Sequence, residues 1–110
     1  MGYRSKVVLV LPTVEVDKAE LSEDARRLLK EGTYHTLHSW NGKLYNYYEW
    51  ESIKWYSGVD PVISEIENIA TYLDPGEWGM VRVGEEFGDL EVHGSPYEFG
   101  VYPVQDVTIE

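Results

Sequence analysis

The chain contains no cysteine, so disulfides and thiolate metal centres are excluded. It also lacks any apolar run near the roughly 18 residues needed to span a bilayer. The longest run, Val7 to Leu11, is the size of a strand. The opening "MGYRSKVVLVLP" has a basic flank but too short an apolar stretch for a signal peptide. Lys6 stands where a myristoylation motif requires Ser or Thr. The expectation from these absences is a cytoplasmic protein without membrane contact. No phosphate-binding loop, dinucleotide fingerprint, G-x-S-x-G elbow or H-E-x-x-H helix is present. Nor are there internal repeats, low-complexity tracts or linkers, so residues 1–110 read as a single domain.

Positive charge is also missing from one half. Residues 1–56 balance eight acids with eight bases, whereas residues 57–110 hold twelve acids and one base, Arg82. The whole net charge of −11 therefore lies in the second half. Such a field repels nucleic acid and anionic membrane and attracts basic proteins. Hydrophobic residues make up 43% of the chain, enough to bury a core, so this is not a disordered acidic tail.

What is abundant is aromatic side chains, six of them within "LYNYYEWESIKWY" at 44–56. Before that segment, "YRSKVVLVLP" reads as a buried strand ended by Pro12. Asp17 to Glu31 then reads as a helix with Leu21, Ala25, Leu28 and Leu29 on one face and Gly32 as its C′ residue. Ser22 is an alternative start for a shorter helix. Asn41-Gly42 between two β-rich runs is a type I′ hairpin sequence. A two-residue turn sets Trp40 against Lys43, Thr36 against Tyr47 and Tyr34 against Glu49, with Leu37 against Asn46 and His35 against Tyr48. That register predicts a core face of Leu37, Leu44, Tyr48 and Trp50, and an opposite face carrying Tyr34, Trp40, Tyr45, Tyr47 and His38. A bulge between Trp50 and Ile53 would return Ile53 and Trp55 to the core.

Asp60-Pro61 starts a second helix, Val62 to Leu73 follow helical spacing, and Asp74-Pro75-Gly76 stops it. "WGMVRVGEE" and "LEVHG" read as strands around a turn at 87–89, and "FGVYPVQDVTIE" as a last extended segment that Pro103 pushes to an edge. The order β-α-β-β-α-β predicts an α+β fold of ferredoxin-like (split β-α-β) type. Its antiparallel sheet would carry both helices on one face and gain an extra C-terminal hairpin.

The aromatic face is poorly suited to stacking nucleic-acid bases, because only Lys43 lies among its residues to hold phosphate. It would instead be covered by the C-terminal strands, by a second copy of the chain, or by a foreign protein. His35 and His38 alternate to opposite sides of a strand, which argues against a metal shared by them and His93. Glu85, Glu86, Asp89 and Glu91 surround one turn. They form the best acidic binding cluster, with Arg82 expected to pair with nearby carboxylates. No cofactor is expected.

"GYRS" at 2–5, "SIKWY" at 52–56 and "VRVGEE" at 81–86 resemble a pattern of small acidic phage- and prophage-encoded proteins with no assigned activity. Tyr3, Arg4, Lys54, Trp55, Tyr56, Arg82, Gly84 and Glu85 carry the resemblance. It implies a phage context, in which small proteins often bind host proteins. The resulting expectation is a non-enzymatic inhibitor that occludes a basic host-protein surface, as a nucleic-acid mimic would. The alternatives are a toxin-neutralising immunity protein and a metal-dependent or acid–base enzyme using the 85–91 carboxylates.

Overall fold

A computed structural model describes residues 4–40, 43–56, 58–85 and 88–99, and within these the side chains of all but 33–40, 98 and 99. The chain order is β1 (Ser5–Pro12), α1 (Thr13–Lys18), α2 (Glu23–Glu31), β2 (Thr33–Trp40), β3 (Lys43–Ile53), α3 (Pro61–Thr71), β4 (Gly79–Val83) and β5 (Leu90–Gly94). Short 3-10 turns follow α3 at Pro75–Glu77 and β5 at Pro96–Phe99. The five strands form one sheet in the order β2-β3-β1-β4-β5, and every neighbouring pair is antiparallel. This is an α+β fold.

β1 lies at the centre because its Val/Leu run is apolar on both sides. Val7, Leu9 and Leu11 enter the main core with Tyr48 and Trp50 of β3 and Met80 of β4. Ala25 and Leu29 of α2 and Ile63, Ile66 and Ala70 of α3 join the same cluster. α2 and α3 therefore cover one face of the sheet. Trp50 and Trp55 meet with ring centroids 5.4 Å apart, and the Trp50 indole donates to the Leu28 carbonyl at 3.0 Å. The expected bulge is present: Ser5 pairs with Ile53 but Val7 with Trp50, so β3 spends one extra residue there. Trp55 is thereby returned to the core.

The helical stretch expected over 17–31 is broken, and the alternative start at Ser22 is the one adopted. α1 is a separate turn, and α2 starts at Ser22, whose hydroxyl accepts from the Ala25 amide. Glu65 of α3 accepts from both the amide and the hydroxyl of Ser22, at 2.8 and 2.7 Å. A cap secured twice over defines a new helix start more firmly than the apolar spacing could. Gly32 ends α2 in an extended conformation, not in the left-handed one that a C′ glycine supplies. It is small because a Cβ there would fall 2.9 Å from the Trp50 indole. α3 starts as expected, with Asp60 accepting from the Val62 amide and Pro61 in the first turn.

The hairpin register also differs from expectation. Trp40 pairs with Lys43, but β2 takes up an extra residue between Leu37 and Trp40. Leu37 consequently pairs with Tyr45, His35 with Tyr47 and Tyr34 with Tyr48, one place from the expected register. A one-residue slip exchanges the two faces of a strand, and a bulge imposes that slip on everything beyond it. Asn41 and Gly42, the expected turn, lie outside the described residues. Leu44, expected in the core, is 51% exposed and lies at the rim of an open cleft beside α1 and Leu73.

Candidate functional site

The expected aromatic face is brought together only in part. Tyr45 and Tyr47 pair with Pro12 and Val10, on the side of the sheet away from the helices, while Tyr48 and Trp50 enter the helix-covered core. Tyr34 pairs with Tyr48, not with Glu49 as expected. The side chains of Tyr34 and Trp40 lie outside the described residues. The helix-free face is apolar around Val10, Val81 and Tyr45, all buried. The chain itself supplies some of that cover. Gly79 pairs with Val10, and Pro96 packs so closely over Gly79 that a Cβ there would lie 2.6 Å from the Pro96 Cα. Further along the same face, Leu90 and Val92 of β5 are exposed at 39% and 38%.

The acidic turn is organised by Arg82, which pairs with nearby carboxylates as expected. Its side chain is 11% exposed, and the guanidinium reaches Asp89 at 2.8 Å and Glu91 at 3.3 Å. It also donates to the Ser5 hydroxyl at 2.9 Å, which ties the turn to β1. Burial opposes the Arg82 charge, but the hydrogen bonds it donates to Asp89 and Glu91 outweigh that, so the guanidinium holds its proton more firmly than usual. The Arg82 hydrogen bond in turn holds the Glu91 carboxyl below its usual range, against an opposing contribution from burial. Asp89 and Glu91 are thus structural as well as acidic. Glu85 is exposed, and Glu86 lies outside the described residues.

Several other acids of the second half have local roles. Asp60 and Glu65 serve helix starts, Glu77 binds Lys43 at 3.1 Å, and Glu67 accepts from the Trp55 indole at 3.2 Å. Only the Asp60 cap is local and legible in the sequence; the partners of Glu65, Glu67 and Glu77 lie 12 to 43 residues away in the chain.

Sequence reasoning missed a cleft of about 370 Å³ between α3 and the β4–β5 hairpin. Leu9, Met80, Ile66 and Ala70 form its apolar walls, Trp78 closes one side, and Glu67, Glu91 and His93 bring polar groups to it. The legible signal is the alternation in "LEVHG". Glu91 and His93 pair with Arg82 and Met80, while Leu90 and Val92 pair with Val83 and Val81 on the other face. α3 packs over β1 and β4 and leaves the inward positions of β5 open, with His93 51% exposed. A second cavity, about 440 Å³, lies between α1–α2 and β3, with Asn46 and Tyr48 at its base and Arg26 and Lys30 on its wall. Asn46 is buried there, accepting from Thr13 at 2.7 Å and donating to the Tyr48 hydroxyl at 2.9 Å.

Among the described residues, no group of three or more His, Asp or Glu side chains is arranged to hold a metal ion, and no helix is long and apolar enough to cross a membrane. No protein-family model, curated protein or solved structure matches the chain.

Proposed function

We propose that this chain is a non-enzymatic binding protein of phage type that occludes a basic surface of a host protein. The observation that carries the reading is the charge arrangement at the β4–β5 end. Glu67, Glu85, Asp89 and Glu91 stand there, Arg82 directs its charge inward to Asp89 and Glu91, and of the two bases beside Glu85, Arg4 and Lys6, Lys6 is paired with Glu49 and Glu51. What this end presents to solvent is net negative, next to the exposed apolar side chains Leu90 and Val92. Charge steers a basic partner toward the site, and apolar contact holds it. The phage context rests on the sequence resemblance. The strand order β2-β3-β1-β4, with helical connections after β1 and β3, supports reading the fold as ferredoxin-like with β5 added at one edge.

The test is affinity capture from bacterial lysate by the intact chain, with mass-spectrometric identification, then titration of the purified partner at low and high salt. The expected partner is basic, and its association slows as salt rises, because exposed charges are screened over about 8 Å at physiological ionic strength. Glu85→Lys combined with Glu86→Lys leaves Arg82 and its two carboxylates in place. It should weaken binding more than tenfold, or about 1.4 kcal/mol. A partner held equally well at high salt, or by the charge-reversed variant, would remove electrostatics from the reading.

A further inference from the structure

Resting on that reading, we propose that β5 accepts an extended segment of the partner as a sixth strand, and that this segment inserts a Lys or Arg side chain into the cleft beneath it. β5 is the last strand of the sheet and pairs only with β4 among the described residues. An edge strand offers its outer N–H and C=O groups to another chain unless bulges, proline or lysine guard it. Leu90–Gly94 has an unbroken register and no proline or lysine, and its one charged side chain, Glu91, is turned to Arg82 and away from the outer backbone groups. Addition of a strand to such an edge is an established mode of peptide recognition, in which backbone bonds give affinity and side-chain pockets give selectivity.

The cleft defines which side chain would follow the strand in. Side chains of an added strand alternate, and those level with Glu91 and His93 point toward α3. There they meet Met80 and Ile66 as apolar wall and the carboxylates of Glu67 and Glu91. A long aliphatic stem with a cationic head matches both parts, since Lys and Arg bury their methylenes and keep the charge on an acceptor. About 370 Å³ is near the lower limit for ligand pockets, which suits one side chain better than a larger molecule.

Two other occupants fit less well. A second copy of the chain paired through β5 would bring another Glu91 toward the carboxylates already present. The chain's own residues 100–110 contain Asp106 and Glu110 and no base, so they carry nothing for Glu67 and Glu91 to hold.

The experiment is NMR titration of the 15N-labelled full-length chain with the blocked peptide Thr-Val-Thr-Arg-Thr-Val-Thr. Two controls accompany it: the same peptide with citrulline for Arg, and one N-methylated at alternate amides. Expected are shifts in the Leu90–Gly94 amides and the Trp78 indole, at least tenfold weaker binding of the citrulline peptide, and no binding of the N-methylated one. Glu67→Gln, which keeps an acceptor for Trp55, should erase most of the Arg preference while tryptophan fluorescence stays native. Equal affinity for Arg and citrulline, or shifts away from β5, would overturn the proposal. So would concentration-dependent dimerisation through β5, or cross-peaks in the free chain linking residues 100–110 to β5. Salt-sensitive capture of a basic protein without β5 docking would leave the binder reading standing and remove this one. Docking at β5 without such capture would do the reverse.

Discussion

Arg82 and Asp89 close the β4–β5 hairpin with an ion pair of 2.8 Å, and Glu91 approaches the same guanidinium from the next strand at 3.3 Å. The only base in the second half of the chain is thus a fastener between two carboxylates and the Ser5 hydroxyl. Removing it leaves two acids facing each other without a counter-charge. Arg82→Gln should cost about 2 kcal/mol, below the range for a fully buried pair because Asp89 and Glu91 are partly solvated. Glu85→Gln, at an exposed position of the same turn, should leave the urea midpoint unchanged. Equal midpoints for the two variants would show that the pairing contributes nothing.

Acid should weaken the fold through a small set of carboxylates. Hydrogen bonds from Arg82 lower the pKa of Glu91, hydrogen bonds from Ser22 lower that of Glu65, and Lys43 lowers that of Glu77. A carboxyl whose folded pKa is depressed adds stability above its unfolded pKa and loses it as pH falls through the folded value. Urea midpoints should therefore be level above about pH 5.5 and decline below about pH 4.5. Glu91→Gln should flatten part of that decline, which equilibrium unfolding monitored by tryptophan fluorescence would reveal.

Gly32 abuts the indole that bridges α2 to β3. Ala at this position would put its Cβ 2.9 Å from Trp50, whose ring also donates to the Leu28 carbonyl. Overpacking of this kind costs roughly 1–3 kcal/mol. Gly32→Ala should lower the melting temperature and shift Trp50 emission toward that of a more solvated indole. Gly76→Ala, where a Cβ meets nothing within 4 Å, is the matched control and should do neither.

Gly79 holds Pro96 against the helix-free face. A Cβ there would meet the Pro96 backbone at 2.6 Å, a contact that a side-chain rotation cannot relieve. Gly79→Ala should therefore displace the 3-10 turn at Pro96–Phe99 and uncover Val10. Increased binding of an apolar dye, with far-ultraviolet dichroism preserved, is the expected signature. Unchanged dye binding would mean that this turn does not cover the face.

Much of the secondary structure was legible from residues close together in the chain. Pro12 ends β1, Asp60-Pro61 opens α3, Asp74-Pro75-Gly76 closes it, and the period-two pattern of "LEVHG" marks β5. The bulge after Trp50 was also legible, because apolar alternation breaks there within four residues. These signals are local, and each restricts the backbone directly or decides which side of a strand is apolar.

Contacts between distant residues decided the rest. Glu65, 43 residues beyond Ser22, secures the cap that splits the first helical stretch, and an extra residue in β2 moves the pairing of Tyr34 and Leu37 one place from expectation. The cleft exists because α3 packs over β1 and β4 but stops short of β5, which brings Glu67 to Glu91 and His93. By composition the chain determined its acidity and its small apolar core. Only tertiary structure decided which acids are occupied by Arg82, Lys43, Trp55 and Ser22, because pairing depends on distance in space and not on spacing along the chain.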